Sequence, residues 1–429
     1  MKILYIACYS PYISNSAGIG CLNYLNNLVK IEGNEVHLLT VDFPKDSIYY
    51  DGYNLSMLDK RVKVHAISGG ALFNKVMPKK KKVISQSNEV KQNKTKPSNL
   101  NKLLKKIKSV VITPDMYFNW ASRAANYAIE LMNKESFDVM YSMHEPPSSH
   151  VCAYKIKEKF PKLQWVAYWS DPWVRDPIRA NMPYIRKKYE TALEKKIVNK
   201  ADKYVFVTDA NRRDYIKYYG IPEEKTYLIN RGFDKEKYEE ILEEASPKYI
   251  MKDKINLVYA GEIFSKLRDV RPLIAVLDRL EKENQKLYNK LNILFFGNID
   301  NQEIKEKLSN VKAVSVWGRI PYKEALSYML HSDILILYGN KNSNQIPAKI
   351  YDYFGTKSFI YVILGDENDP IKYLVENNEK CTVVDNNEED LMDGLYKILQ
   401  KVEDKKVSAP IMEYEWSNIG NRLYNILKE

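Results

Sequence analysis

Short apolar runs rich in β-branched and aromatic residues recur along the chain. Longer stretches, in which apolar residues return every three or four positions, separate them. The runs predict strands at 3–7, 36–40, 62–67, 139–142, 165–168, 204–207 and 227–229. A second series follows at 257–260, 293–296, 313–316, 334–337, 359–364 and 382–384. The helical period between them predicts helices at 20–31, 119–133, 183–199, 271–283 and 322–330. Continuous apolar strands alternating with helices read as parallel sheets covered on both faces. Two such series predict an α/β fold of two tandem doubly wound, Rossmann-like domains facing each other across a cleft.

Polar residues dominate 235–253, around Ser246-Pro247, which sets the expected domains at 1–235 and 254–407. Ser408-Ala409-Pro410 breaks the pattern. The remainder, 408–429, resumes as an amphipathic helix with Trp416, Ile419, Leu423, Ile426 and Leu427 on one face. No internal repeat is present.

Composition narrows the class. Hydrophobic residues are 45% and charged residues 28%, which suits a globular core and excludes collagen-like, coiled-coil and wholly disordered chains. The longest apolar runs fall far short of the ~20 residues of a membrane span. Lys2 precedes only six apolar residues, so no signal peptide is expected. Cys8, Cys21, Cys152 and Cys381 are scattered, which indicates neither a disulfide framework nor a zinc site. A soluble cytoplasmic protein is the expectation.

The net charge of +11 is concentrated between Lys75 and Lys108, where twelve lysines face one acid, Glu89. The segment reads either as a solvated insertion or as an attraction for anions, such as an anionic inner membrane face or a lipid-linked substrate. It has no aromatic residue on which bases could stack, so nucleic acid is not an expected partner.

In open parallel sheets, ligands bind beyond the carboxyl ends of the strands, so the residues following each strand carry the candidate chemistry. Gly18 and Gly20 follow the first strand and open a helix; they suit either a phosphate or sugar near backbone N–H groups, or simple helix capping. His144 sits where a strand yields to the rigid Glu145-Pro146-Pro147, with a structural role weighing equally against one facing the cleft. His150 falls within a helix, and His37 and His65 within strands, with no metal-ligand spacing. Asp171 either caps a turn or orients a sugar hydroxyl, with Trp173 stacked on the sugar's apolar face. In the second half, Gly261 precedes Lys266, Arg268 and Arg271, cations that oppose a helix dipole and suit a bound pyrophosphate. Gly297 and Gly318 follow later strands and permit close approach of a nucleotide. The polar loop through Asn344, Gln345 and Ile346 ends at Pro347. It opens a helix bearing Lys349 and Asp352, the latter suited to holding ribose hydroxyls.

Taken together, these loops resemble the retaining glycosyltransferases of the GT-B fold, in particular family 4 and its bacterial surface-polysaccharide branch. The resemblance rests on four pieces in order along nearly the whole chain outside 75–108. They are Ser16-Ala17-Gly18-Ile19-Gly20, the later Gly33-Asn34-Glu35-Val36, the pair His144-Glu145-Pro146-Pro147 and Ser170-Asp171-Pro172-Trp173, and Pro347-Ala348-Lys349-Ile350-Tyr351-Asp352-Tyr353. It implies a nucleoside diphosphate sugar donor, a glycan or polyprenyl-linked acceptor, retention of configuration, no metal and no cofactor. Gly18, Gly20, Gly261, Gly297, Gly318, Asn344, Gln345, Ile346, Lys349 and Asp352 would line the donor, and Asp171 and Trp173 the acceptor. His144 would face the transferred sugar, while Arg268 and Lys266 would neutralise the leaving diphosphate. The terminal helix would cross back onto the first domain. The chain departs from the family at Ala17, at Glu262, where an Arg is common, and at Asn344 and Asp352, where the family carries two glutamates. The departures keep open a non-catalytic protein of the same fold; a nucleotide-sugar 2-epimerase is a further alternative.

Overall fold

Every residue of β1 (Lys2–Ala7) after Lys2 is buried, as an unbroken apolar run requires of a strand covered on both faces. It lies in a seven-stranded sheet with β2 (Glu35–Asp42), β3 (Lys63–Ser68), β4 (Val139–His144), β5 (Gln164–Trp169), β6 (Lys203–Phe206) and β7 (Thr226–Leu228). The order is β3-β2-β1-β4-β5-β6-β7, and every pairing is parallel. A second, six-stranded sheet holds β8 (Ile255–Ala260), β9 (Leu291–Phe296), β10 (Val314–Trp317), β11 (Ile334–Tyr338), β12 (Phe359–Ile363) and β13 (Cys381–Val384). Its order is β10-β9-β8-β11-β12-β13, again parallel throughout. The computed structural model describes residues 1–13, 15–79, 113–176, 179, 182–341, 345–406 and 408–429. Most of the basic segment 75–108, and Asn344, lie outside the described residues.

All thirteen expected strands are present, and the helices Arg271–Glu283 and Tyr322–Leu330 coincide with their expected ranges. Packing divides the chain into one unit of Met1–Ile229 with Gly420–Glu429, and another of Asn230–Ile419. The polar stretch after residue 235 begins as a helix, Lys235–Leu242, capped by Asp234 and anchored by buried Tyr238 and Ile241. In the first unit, Lys203 donates to the Ile426 carbonyl at 2.8 Å and Tyr227 to Glu429 at 2.8 Å, which fixes the last turns of the helix Trp416–Lys428.

Both sheets reverse their winding once, between β1 and β4 and between β8 and β11. β8 and β11 pair only through Leu257–Val258 and Ile334–Leu335, so their carboxyl ends leave the ladder and splay. Tyr353 stands there, its hydroxyl donating to the Ile336 carbonyl at 3.3 Å. A switch point with parted strand ends is where a doubly wound sheet holds a ligand. Among the described residues, no helix is long and apolar enough to cross a membrane.

Candidate functional site

The loops after β8, β9 and β10 and the helix Lys349–Phe354 enclose a cavity of about 360 Å³ in the second unit. Its lining includes Gly261, Gly297, Glu262, Arg319, Lys349 and Asp352. Gly297 has φ +126°, and a Cβ there would strike the Gly261 carbonyl, so the two glycine turns are pressed together. A Cβ at Gly261 would collide with Lys349 Nζ, which lies 4.7 Å from the centre of the Tyr259 ring. Burial, and then the Arg268 guanidinium, push the Lys349 ammonium down to about 7.

Arg268 braces the switch point. Its Nε donates to Asn340 Oδ1 at 3.0 Å, and Nη1 donates to the Glu262 carbonyl at 2.7 Å and to Tyr259 Oη at 3.3 Å. The backbone repeats the link, since Lys341 N donates to the Leu267 carbonyl at 3.0 Å. Loops following β8 and β11 are thereby joined through one side chain. Glu262 accepts from Arg319 Nε at 2.8 Å, and that ion pair holds its carboxyl below the usual range. One helical turn beyond Lys349, Asp352 accepts from Tyr322 and Tyr238 hydroxyls, each at 3.2 Å. Burial outweighs those two bonds and raises its carboxyl to about 6.

The structure thus gathers Gly261, Gly297, Lys349 and Asp352 in one place, with Arg268 behind them. Lys266 is exposed, and Gly318 is exposed with its carbonyl accepting from Gly297 N at 3.1 Å. Gln345 and Ile346 are half-buried in the approach to the Lys349 helix.

In the first unit, the expectations need correction. Gly18 lies inside the helix Ser16–Lys30, and its N–H donates to the capping Asn15 Oδ1 at 2.7 Å, so that group is already used. A Cβ at Gly18 would meet the Ile13 carbonyl at 2.6 Å, so packing explains that glycine; Gly20 is buried in the same helix, where a Cβ would find only Met143 at 3.8 Å. His144 is fully buried, stacked at 5.7 Å on His150 and covered by Trp173 at 6.2 Å, and it presents no face to a cleft. Its ring nitrogens have no partner among the described residues, and burial drives its protonation far below the usual range. Trp173 is also fully buried, its Nε1–H donating to Glu190 at 2.8 Å, so it has no ring face to offer a sugar. Asp171, half-buried beyond β5, stands near Glu145, which follows β4 on the neighbouring strand. Burial, and next the Asp171 charge, raise the Glu145 carboxyl to about 7. Sequence reasoning offers Glu145, with His144 and Asp171, only as a candidate for the epimerase alternative, its signal being its place directly after a strand.

Sequence reasoning missed a polar network at the amino ends of β2 and β3. His37 Nε2 contacts Glu35 Oε1 at 2.8 Å, His37 and His65 bond at 2.9 Å, and His65 reaches the Tyr127 hydroxyl at 2.8 Å. Ligand atoms of Glu35, His37 and Glu135 lie within 4.8 Å of one another, yet Lys2 and Lys63 already neutralise the two carboxylates. The cluster is an ion-pair network.

The family model of Glycosyltransferase Family 4 matches residues 18–237. No curated protein is significantly similar in sequence. Among solved structures, the chain resembles a glycosyltransferase from Rickettsia africae with 14% identity, covering 99% of this chain and 94% of that one, at a TM-score of 0.56. Sucrose-phosphate synthase from Thermosynechococcus elongatus matches at 13% identity over 100% and 98%, with a TM-score of 0.61. UDP-GlcNAc 2-epimerase from Neisseria meningitidis matches at 11% identity over the full length of both chains, with a TM-score of 0.55. At these identities the likeness concerns the fold, which is GT-B.

Proposed function

Because the chain belongs to Glycosyltransferase Family 4, we propose that it moves a sugar from a nucleoside diphosphate sugar to a glycan or lipid-linked acceptor, with retention and without an essential metal, in surface-polysaccharide assembly. One observation carries the reading: a single cavity is lined by two abutting glycine turns, by Lys349 against the Gly261 turn, and by Asp352 one helical turn further on. A diphosphate would lie along the glycine turns against Lys349, and the ribose hydroxyls would take the place of the tyrosine hydroxyls on Asp352. Preorganised cations at the departing oxygens are the main requirement of such a transfer. Arg268 acts as a positioning residue that keeps the loops after β8 and β11 in register. The proton of the acceptor hydroxyl passes to the leaving diphosphate.

The sequence departures at Glu262 and Asn344 favour a second reading, a protein of this fold without catalysis. A thermal-shift screen with UDP, GDP, TDP and CDP separates the two at their first step. A nucleotide at ~100 times its dissociation constant stabilises the native state by ~2.7 kcal/mol. One nucleotide is expected to do so; no shift with any of them would overturn donor binding. Release of that nucleotide from its sugar conjugates in the presence of acceptor lipid then distinguishes transfer from binding alone.

A further inference from the structure

The helix Tyr184–Val198 follows β5 and its loop, and it turns both of its acids inward. Glu190 and Glu194 are fully buried. Glu190 holds Arg186 at 2.6 Å and Arg179 at 3.0 Å, while Glu194 holds the hydroxyls of Tyr215 and Tyr219. The outward face is left with Lys188, Lys195 and Lys196, all exposed, with Lys187 exposed at its border and Lys200 just beyond the end. Among the described residues, none of these lysines forms an ion pair. Lys195 and Lys196 complement the dipole at the helix end. Lys187 and Lys188 stand one turn in from the amino end, where the dipole gives positive charge no support.

Beside these lysines the same face exposes Tyr184 at 78%, Ile185 at 76% and Tyr189 at 55%. At 100° per residue, Tyr184, Lys188 and Lys195 fall close together, with Ile185, Lys196 and Tyr189 alongside. We infer that this face docks the protein onto an anionic lipid bilayer. Lysines meet the headgroup charge, tyrosines suit the interfacial depth, and Ile185 gains by entering the acyl boundary. Nucleic acid would use the lysines but has no use for an exposed isoleucine at their centre. A second copy of the chain would bring like charges together. A helix crossing between parallel strands runs back along the sheet, so its amino end lies at the carboxyl ends of the strands. Tyr184 and Ile185 therefore sit on the rim that also carries Glu145 and Asp171, which brings that rim to the bilayer surface. The inference goes beyond the transfer reaction and does not rest on it.

The test is co-sedimentation of the full chain with vesicles of phosphatidylglycerol and phosphatidylcholine, and of phosphatidylcholine alone. One variant carries Lys187→Gln, Lys188→Gln, Lys195→Gln and Lys196→Gln; another carries Tyr184→Ser and Ile185→Ser. Each lysine near an anionic surface contributes a factor of about five, so the first variant is expected to bind anionic vesicles more than tenfold more weakly. The second should also bind more weakly, with melting temperatures and nucleotide-induced shifts kept in both. Binding unchanged in both variants would place the contact elsewhere, in the basic segment for example, and overturn the inference. So would binding to single-stranded RNA but not to vesicles. The native cysteines among the described residues are buried, so Ile185→Cys accepts an environment-sensitive dye selectively. Its emission is expected to shift to the blue on anionic vesicles, and an unchanged spectrum would count against insertion.

Discussion

Lys349 Nζ occupies the space that a side chain on Gly261 would need. The contact joins the loop after β8 to the helix Lys349–Phe354 and sets where the ammonium stands in the cavity. Gly261→Ala is expected to expel the ammonium from its place over Tyr259 and to weaken nucleoside diphosphate binding by roughly tenfold or more, the scale of one charge-assisted hydrogen bond. Calorimetric titration of the variant checks this. Equal affinity would mean that the diphosphate does not use Lys349.

Lys349 also predicts a pH dependence with opposite signs for stability and binding. The folded chain releases the proton near pH 7, whereas an unfolded lysine keeps it to ~10.4. Between these values the unfolded state binds more protons, so this group makes stability rise with pH across that window. A diphosphate needs the ammonium, so its affinity is expected to fall roughly 10- to 30-fold from pH 6.5 to 8.5, with uptake of about one proton on binding. Titrations in buffers of different ionisation enthalpy measure that uptake. In Lys349→Gln the affinity should be lower and flat with pH.

Glu262 is the acid most at odds with an anionic ligand, and Arg319 already holds it at 2.8 Å. Glu262→Gln removes the charge and releases the guanidinium. Diphosphate affinity is then expected to tighten roughly two- to fivefold, the scale of one partly exposed ion pair, and the gain should shrink in high salt. Weaker binding would assign Glu262 a direct contact with the donor.

The strands and the cavity of the second unit were legible in the sequence for one reason. A doubly wound sheet brings the residue after each strand to one end, so Gly261, Gly297 and the Lys349–Asp352 helix could be placed together without any contact being known. The first unit resisted the same reading. Asp171-Pro172-Trp173 has the look of an exposed loop, but the indole is drawn inward by Glu190, whose role depends on a helix packing that no local pattern announces. His37 and His65 meet because the β2–β3 register sets Leu39 opposite His65, which places both histidines on one face. Register between strands is not written in either strand alone.

Glu190 offers the sharpest test of the correction at Trp173. Its carboxylate is fully buried and accepts from Trp173 at 2.8 Å, Arg179 at 3.0 Å and Arg186 at 2.6 Å. Glu190→Ala leaves an indole N–H and two guanidinium groups facing an empty site, and breaking a buried pair in this way costs about 3–5 kcal/mol. Glu190→Gln keeps the volume and one acceptor and should cost less. Trp173→Phe removes one donor from a carboxylate that retains both arginines and leaves part of the indole's space empty, so about 2–3 kcal/mol is expected. Urea unfolding followed by tryptophan fluorescence ranks the three, with Glu190→Ala lowest in midpoint. If Trp173→Phe instead kept full stability and lost acceptor turnover, the ring would have to leave its buried site to meet a sugar.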